Sequence, residues 1–561
     1  MLAIAPVFAI AVLTLPILFG LLATALPAFG YFPALGGETF SLEAWHELLA
    51  MPGLAHSSLI SLAAGLVTPF VAMMAVAGFM AGWSHTRTFG TIQHLVSPLL
   101  SVPHAAAAFG FAFLLAPSGW LMRLISPELT GFTRPPDWLV IHDPLGLAMM
   151  AGLIVKELPF LFLVTLAALP QANPREHMHS ATSLGYGRMA GFLHAVWPMV
   201  YPQIRLAVFA VIAYSSSVVD VAIILGPTNP APLAVRLVSW MNDPDLSMRF
   251  TASAGAILQL VVTALALAAW IIGEKLLSFV LRRLAISGRR FAHDRPARTI
   301  AAGFVLTAAV AVFAGLAVLA LWSFAGYWAF PDALPQTLTL ANWQRQLGAL
   351  GRPFAITIWL GLAATLLAAA IALACLEFES RTGARVKGNA LTILYLPLLV
   401  PQASFVFGLQ LFFLWTGIGS RFSALILTHL VFVLPYVMLS LTEPWHAMDP
   451  RYASAARSMG ASQNLVFWRI RAPMALAPLL VAAAVGFAVS IGQYLPTLLI
   501  GAGRWPTVTT EAVALASGGD RRVIGVYAFV QMCLPFFGFL TATAVPAIVF
   551  SRRTGMRAAS R

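Results

Sequence analysis

Charge is scarce in this sequence. Asp, Glu, Lys and Arg make up 9% of its 561 residues, against about 25% in a water-soluble domain, so the chain cannot clothe a water-facing surface. Lysine is reduced to Lys156, Lys275 and Lys387, and none precedes Ser or Thr. That excludes the glycine-rich phosphate loop ending in Gly-Lys-Ser/Thr. The two cysteines, Cys375 and Cys533, lie in apolar runs and supply neither a disulfide framework nor a metal spacing. His-Glu-x-x-His and Gly-x-Ser-x-Gly are also missing, and an enzyme is not expected.

What is abundant is apolar: 60% of residues are hydrophobic and the mean hydropathy is +0.86. Runs of 20 or more apolar residues suffice to cross a hydrocarbon core of roughly 30 Å. A transmembrane barrel would instead alternate polarity over segments of about ten residues. The expected class is an all-α polytopic membrane protein, with spans at 4–30, 56–83, 96–116, 145–169, 203–226 and 252–281. Six more follow at 299–328, 353–376, 389–416, 422–442, 474–500 and 523–550. Met1 to Gly30 is apolar, lacks a basic n-region, and reads as a retained first span.

The net charge of +13 is local. Arg282, Arg283, Arg289, Arg290, Arg295 and Arg298 crowd one connection; Arg552, Arg553, Arg557 and Arg561 crowd the tail. Such clusters beside spans are the positive-inside signal rather than a nucleic-acid surface. They put both termini in the cytoplasm.

The two halves repeat one another. Val102-Pro103-His104-Ala105 with Phe109-Gly110 returns as Val400-Pro401-Gln402-Ala403 with Phe407-Gly408, 298 residues on. Leu62-Ala63-Ala64 returns as Leu362-Ala363-Ala364, 300 residues on. The first half carries extra residues, expected in the outer loop 117–144. Residues 1–285 and 299–561 therefore read as two parallel six-helix halves joined by a basic linker, 286–298. Repeats of equal orientation enclose a shared pathway about an axis along the membrane normal.

A polar, small-residue insert also occurs twice, 275 residues apart: His179-Ser180-Ala181-Thr182-Ser183-Leu184-Gly185 and Ser454-Ala455-Ala456-Arg457-Ser458-Met459-Gly460. Thirteen residues after each glycine stands a proline, Pro198 or Pro473. Small side chains permit close approach of another protein. Gly185 and Gly460 suit a sharp turn, and the prolines suit a first helical turn.

The insert resembles the Glu-Ala-Ala-x3-Gly loop of permeases in binding-protein-dependent ABC importers, and the plan is similar to fused permeases of thiamine, ferric-iron and putative thiamine-like systems. The resemblance implies a type I importer permease in the bacterial inner membrane, without cofactor in this chain. It implies two partners: an ATPase subunit, a homodimer carrying ATP and Mg, and a periplasmic or extracellular solute-binding protein. His179, Ser180, Ala181 and Gly185, with Ser454, Ala455, Ala456 and Gly460, would form coupling helices docking into that ATPase. The acidic first position of the family pattern is His179 in one copy and Ser454 in the other. The second copy keeps more of the pattern, so it is expected to tolerate mutation less well.

Glu157, beside Lys156 in the fourth expected span, is a candidate by depth alone, because ionisable groups there cost about 2.5–3.5 kcal/mol on insertion scales. Neighbours on a helix diverge by about 100°, so the two should find separate partners. Asp220 and Ser216 in the fifth span, with Gln493 and Tyr494 in its counterpart, are candidates to line the path. Carboxylates there would favour a cationic or zwitterionic solute over an oxyanion; thiamine-like compounds, ferric iron and polyamines all remain open. His104 and His429 stand alone among apolar neighbours and read as structural. A competing reading, an ion-coupled carrier, rests on Glu379-Ser380-Arg381-Thr382-Gly383-Ala384-Arg385, similar to the Asp-Arg-x-Gly-Arg loop of major-facilitator carriers.

Overall fold

A computed structural model describes residues 4–383, 389–419 and 421–551. The tail arginines Arg552, Arg553, Arg557 and Arg561, together with Ala384, Arg385 and Lys387, lie outside them. Eleven described helices are long and apolar enough to cross a membrane, twelve when one bent pair counts as a single span. In the first half the principal helices are α1 (Ala5–Ala28), α2 (Leu54–Trp83), α3 (His104–Leu115), α4 (Leu147–Ala168), α5 (Trp197–Ser217) and α6 (Met248–Ile286). The second half repeats them as α7 (Arg295–Phe324), α8 (Ala341–Thr382), α9 (Gln402–Trp415), α10 (Phe422–His446), α11 (Ala472–Gly492) and α12 (Arg521–Val549). Leucines such as Leu18, Leu22, Leu59, Leu265 and Leu366 remain exposed, as expected of helices apolar all round whose outer faces meet lipid.

The first helix of each half crosses to the other half. α1 packs on α6 and on α9, while α7 packs on α12 and on α3. The same glycine pairing makes both crossings. A Cβ on Gly408 would lie 1.9 Å from the Gly20 carbonyl oxygen, and one on Gly110 would lie 2.8 Å from the Gly315 backbone. Gly110 and Gly408 recur in the sequence because two backbones touch there. Thr24 Oγ1 accepts from the Gly408 N–H at 3.1 Å and fixes the register of α1 on α9.

Four expected spans are broken rather than continuous. Residues 96–116 break at Val102-Pro103 and 389–416 at Val400-Pro401, where the flanking helices 393–399 and 402–415 meet at 99°. Proline removes a backbone donor and drives its predecessor out of the helical region, so a repeated Val-Pro is a repeated corner. Residues 203–226 break at Val218 and Val219, and 474–500 at Gln493 and Tyr494. Pro496 cannot bond back to Gly492. In the first half the Ser216 and Ser217 hydroxyls donate instead to the Ala213 carbonyl, competition that disfavours helix continuation.

The fifth-span helices also begin earlier than expected, at Arg188 and Gln463. Pro198 and Pro473 sit inside these runs, each preceded by one wide turn, Phe192–Val196 or Phe467–Arg471, which absorbs the missing hydrogen bond. The extra residues of the first half fall where expected: 116–146 separate α3 from α4, whereas only 416–421 separate α9 from α10.

Candidate functional site

The inserts are short amphipathic helices, Pro174–Ser183 and Pro450–Ser458. Both end in the same glycine cap. Gly185 (φ +83°) and Gly460 (φ +85°) adopt the left-handed conformation that a side chain would strain. Gly185 donates to Thr182 and Tyr186 to Ala181; in the second copy Gly460 donates to Arg457 and Ala461 to Ala456. These paired bonds turn the chain back onto the membrane helix.

The cap sorts the small residues. His179, Ser180, Ser454 and Ala455 face outward, whereas Ala181 and Ala456 are buried. Ala456 and Ala453 pack on Val466 and Ile470, and Ala181 lies against Gly191. Ala181 and Ala456 thus seat each helix on its own chain, and the outward faces are formed by the other residues of the inserts. At the matched position before the glycine, Leu184 is 62% and Met459 is 82% exposed. The composition of the repeat had concealed these outward apolar side chains.

Each insert is anchored differently. In the second half Glu377, buried at the end of α8, accepts from Arg381 at 2.6 Å and from Arg471 at 2.8 Å. Arg381 also donates to Asn464 at 3.0 Å. In the first half the linker serves this purpose. Gly187 donates to the Arg290 carbonyl at 2.9 Å, Met189 N–H to Asp294 at 2.7 Å, and the Arg290 guanidinium lies over the Tyr186 ring at 4.5 Å. Partial desolvation, then the charges of Arg175 and Arg188, holds the nearby His85 imidazole below its usual 6.5. Glu379 pairs with His446 at 3.3 Å, so the described part of the carrier-like stretch works as structural bracing.

Deeper in the membrane, groups from both halves converge. Glu157 and Lys156 take separate partners: Glu157 pairs with His104 at 2.8 Å, while the Lys156 ammonium donates to the Leu99 and Leu100 carbonyls at 3.4 and 3.5 Å. His104, expected to stand alone among apolar neighbours, thus has a carboxylate partner. Its ring lies 4.7 Å from that of Tyr214. The repeat could have revealed it, since its equivalent is Gln402, which donates to Gln493 at 3.2 Å. Asp220 opens the short helix after the α5 break, buried, with Tyr214 and Tyr494 within electrostatic reach. Tyr436 of α10 lies within the same reach of Glu157. Ser216 stands apart, bonded to Thr263 at 2.8 Å between α5 and α6. His429 is structural, bonded through both nitrogens to Ser490 and Thr497.

Twelve apolar helices in two parallel repeats, with polar groups at the junction and matched inserts at one end, define a membrane transport subunit. Residues 367–553 match the family model of the binding-protein-dependent transport system inner membrane component. The chain is 32% identical over 525 residues to the inner membrane ABC transporter permease protein YnjC of Escherichia coli K12, spanning 92% of this chain and 93% of that protein. It is 23% identical over 171 residues to the spermidine/putrescine transport system permease protein PotC of Haemophilus influenzae, 30% of this chain and 65% of that one. A probable sulfate transport system permease protein cysT of Zygnema circumcarinatum is 34% identical over 88 residues, 15% of this chain and 31% of that one. The chain belongs to this family: it is a multi-pass inner-membrane permease subunit of an ABC importer, and the family works with ATPase and solute-binding partners.

Proposed function

We propose that residues 1–285 and 299–561 act as two permease domains that together form a path for a small polar solute. Hydrolysis takes place on a separate ATPase homodimer holding ATP and Mg; this chain contributes no phosphate loop of its own. Both termini and both inserts are cytoplasmic, and a solute-binding protein delivers the solute from the other side. The carrying observation is the pair of glycine-capped inserts, which present His179, Ser180 and Leu184 in one copy and Ser454, Ala455 and Met459 in the other. Small residues beside one exposed apolar side chain suit a helix lodged in a partner's cleft, with Leu184 and Met459 as anchors. Glu157, Asp220, Gln493 and Tyr494 line the path; Ser216 supports it from behind.

An apolar anchor contributes about 2 kcal/mol, so Met459→Asp should weaken ATPase docking on the order of 30-fold. Titration of the purified permease with its ATPase measures this. Undiminished docking in both Met459→Asp and Leu184→Asp would refute the coupling role.

A further inference from the structure

We propose that the cluster where the halves meet is a binding site for an organic cation, a solute whose positive charge sits on an ammonium, iminium or heteroaromatic nitrogen. This rests on the reading of the junction as the path, and it names the chemistry that the path selects.

Asp220 carries the inference. It is 6% exposed, and among the described residues no Lys, Arg or His side chain lies within ion-pair distance of it. The basic group within its electrostatic reach is His104, which is already paired with Glu157 at 2.8 Å, so two buried carboxylates compete for one imidazole, an arrangement that a further cation would complete. Its surroundings say which kind. Tyr214 of the first half and Tyr494 of the second approach it. Glu157 adds a second carboxylate, held through one oxygen by His104, with Tyr436 beyond. Aromatic faces beside carboxylates attract cations both through the ring quadrupole and through charge.

Other solutes fit less well. The Lys156 ammonium donates to the Leu99 and Leu100 carbonyls and the His104 imidazole pairs with Glu157, so an oxyanion would meet two carboxylates with both basic groups already engaged. Among the described residues no three His, Cys, Asp or Glu side chains are grouped to hold a metal ion, so bare ferric iron lacks its ligands. An organic cation needs no such convergence: one carboxylate and a few rings suffice.

The test is saturable binding of radiolabelled spermidine, thiamine and sulfate to the full-length chain in lipid nanodiscs, with empty nanodiscs as background. At least one of the two cations should bind and sulfate should not. Asp220→Asn should weaken cation binding on the order of 30-fold or more, as expected for loss of a desolvated charge partner. Co-purification with the ATPase reports that each variant is folded. Should Asp220→Asn fail to assemble, Tyr494→Phe and Tyr494→Leu decide: Phe keeps the ring and should retain affinity, while Leu should lose it. Sulfate binding as tightly as both cations would overturn the proposal, as would undiminished cation affinity in Asp220→Asn and Glu157→Gln, or in Tyr494→Leu. The coupling reading fails separately, through intact ATPase docking in Met459→Asp and Leu184→Asp, and leaves the binding result unaffected.

Discussion

Glu377 shows how a single buried side chain can organise the surface around an insert. Its two oxygens are shared between Arg381, on its own helix, and Arg471, ninety-four residues later. Removing one member of a buried ion cluster leaves the others uncompensated, at a cost of about 3 kcal/mol. Glu377→Ala should therefore loosen the insert at Pro450–Ser458, measured as faster hydrogen exchange there with little change at Pro174–Ser183. His85 makes a parallel prediction for the first insert. Its imidazole is held below its usual 6.5 in the folded protein, so the unfolded state binds the extra proton in the window just beneath that value. Stability is full above pH 6.5 and declines as pH falls below it. Protection factors at residues 174–191, taken relative to the intrinsic exchange rate at each pH, should fall on acidification below 6.5, and His85→Gln should remove that dependence.

At the scale of elements, the glycine crossings hold the two halves together. Gly408→Val would press a branched side chain into the Gly20 carbonyl, forcing α1 off α9 at a cost of about 3 kcal/mol or more. A lowered melting temperature in detergent and poor recovery of monodisperse protein are expected; Gly273→Val, at an open site on α6, should leave both unchanged. The elements were largely legible in sequence because apolar runs of fixed length report a membrane directly. Their interruptions were not, because hydropathy is blind to the Val-Pro corners and to the breaks before Asp220 and Leu495. The Val-Pro repeat carried that information, since Pro103 and Pro401 cannot continue a helix. The inserts were found by spacing, but which face of each was free depended on the glycine cap, and that buried Ala181 and Ala456 while exposing Leu184 and Met459. The His104–Glu157 pair joins residues 53 apart, a contact that no local pattern encodes.

At the scale of the molecule, the pseudo-symmetric halves are not equivalent. At the junction the first half brings the titratable groups Glu157, Asp220 and His104, and the second answers with Gln402, Gln493 and Tyr494. The anchors of the two inserts differ as well: the linker braces one insert and the Glu377 cluster the other. A symmetric ATPase would thus push on two matched helices while the solute meets an asymmetric wall. The second insert, closer to the family pattern, is expected to lose more transport per substitution than the first.

The most direct test is cross-linking between this chain and its ATPase from single cysteines at Leu184 or Met459, in a background with Cys375 and Cys533 replaced by serine. Adducts at both positions, with yields that change on ATP binding, are the predicted result. Equal yields from a cysteine at Phe40, in the loop assigned to the opposite side, or no adduct from either insert, would contradict the account.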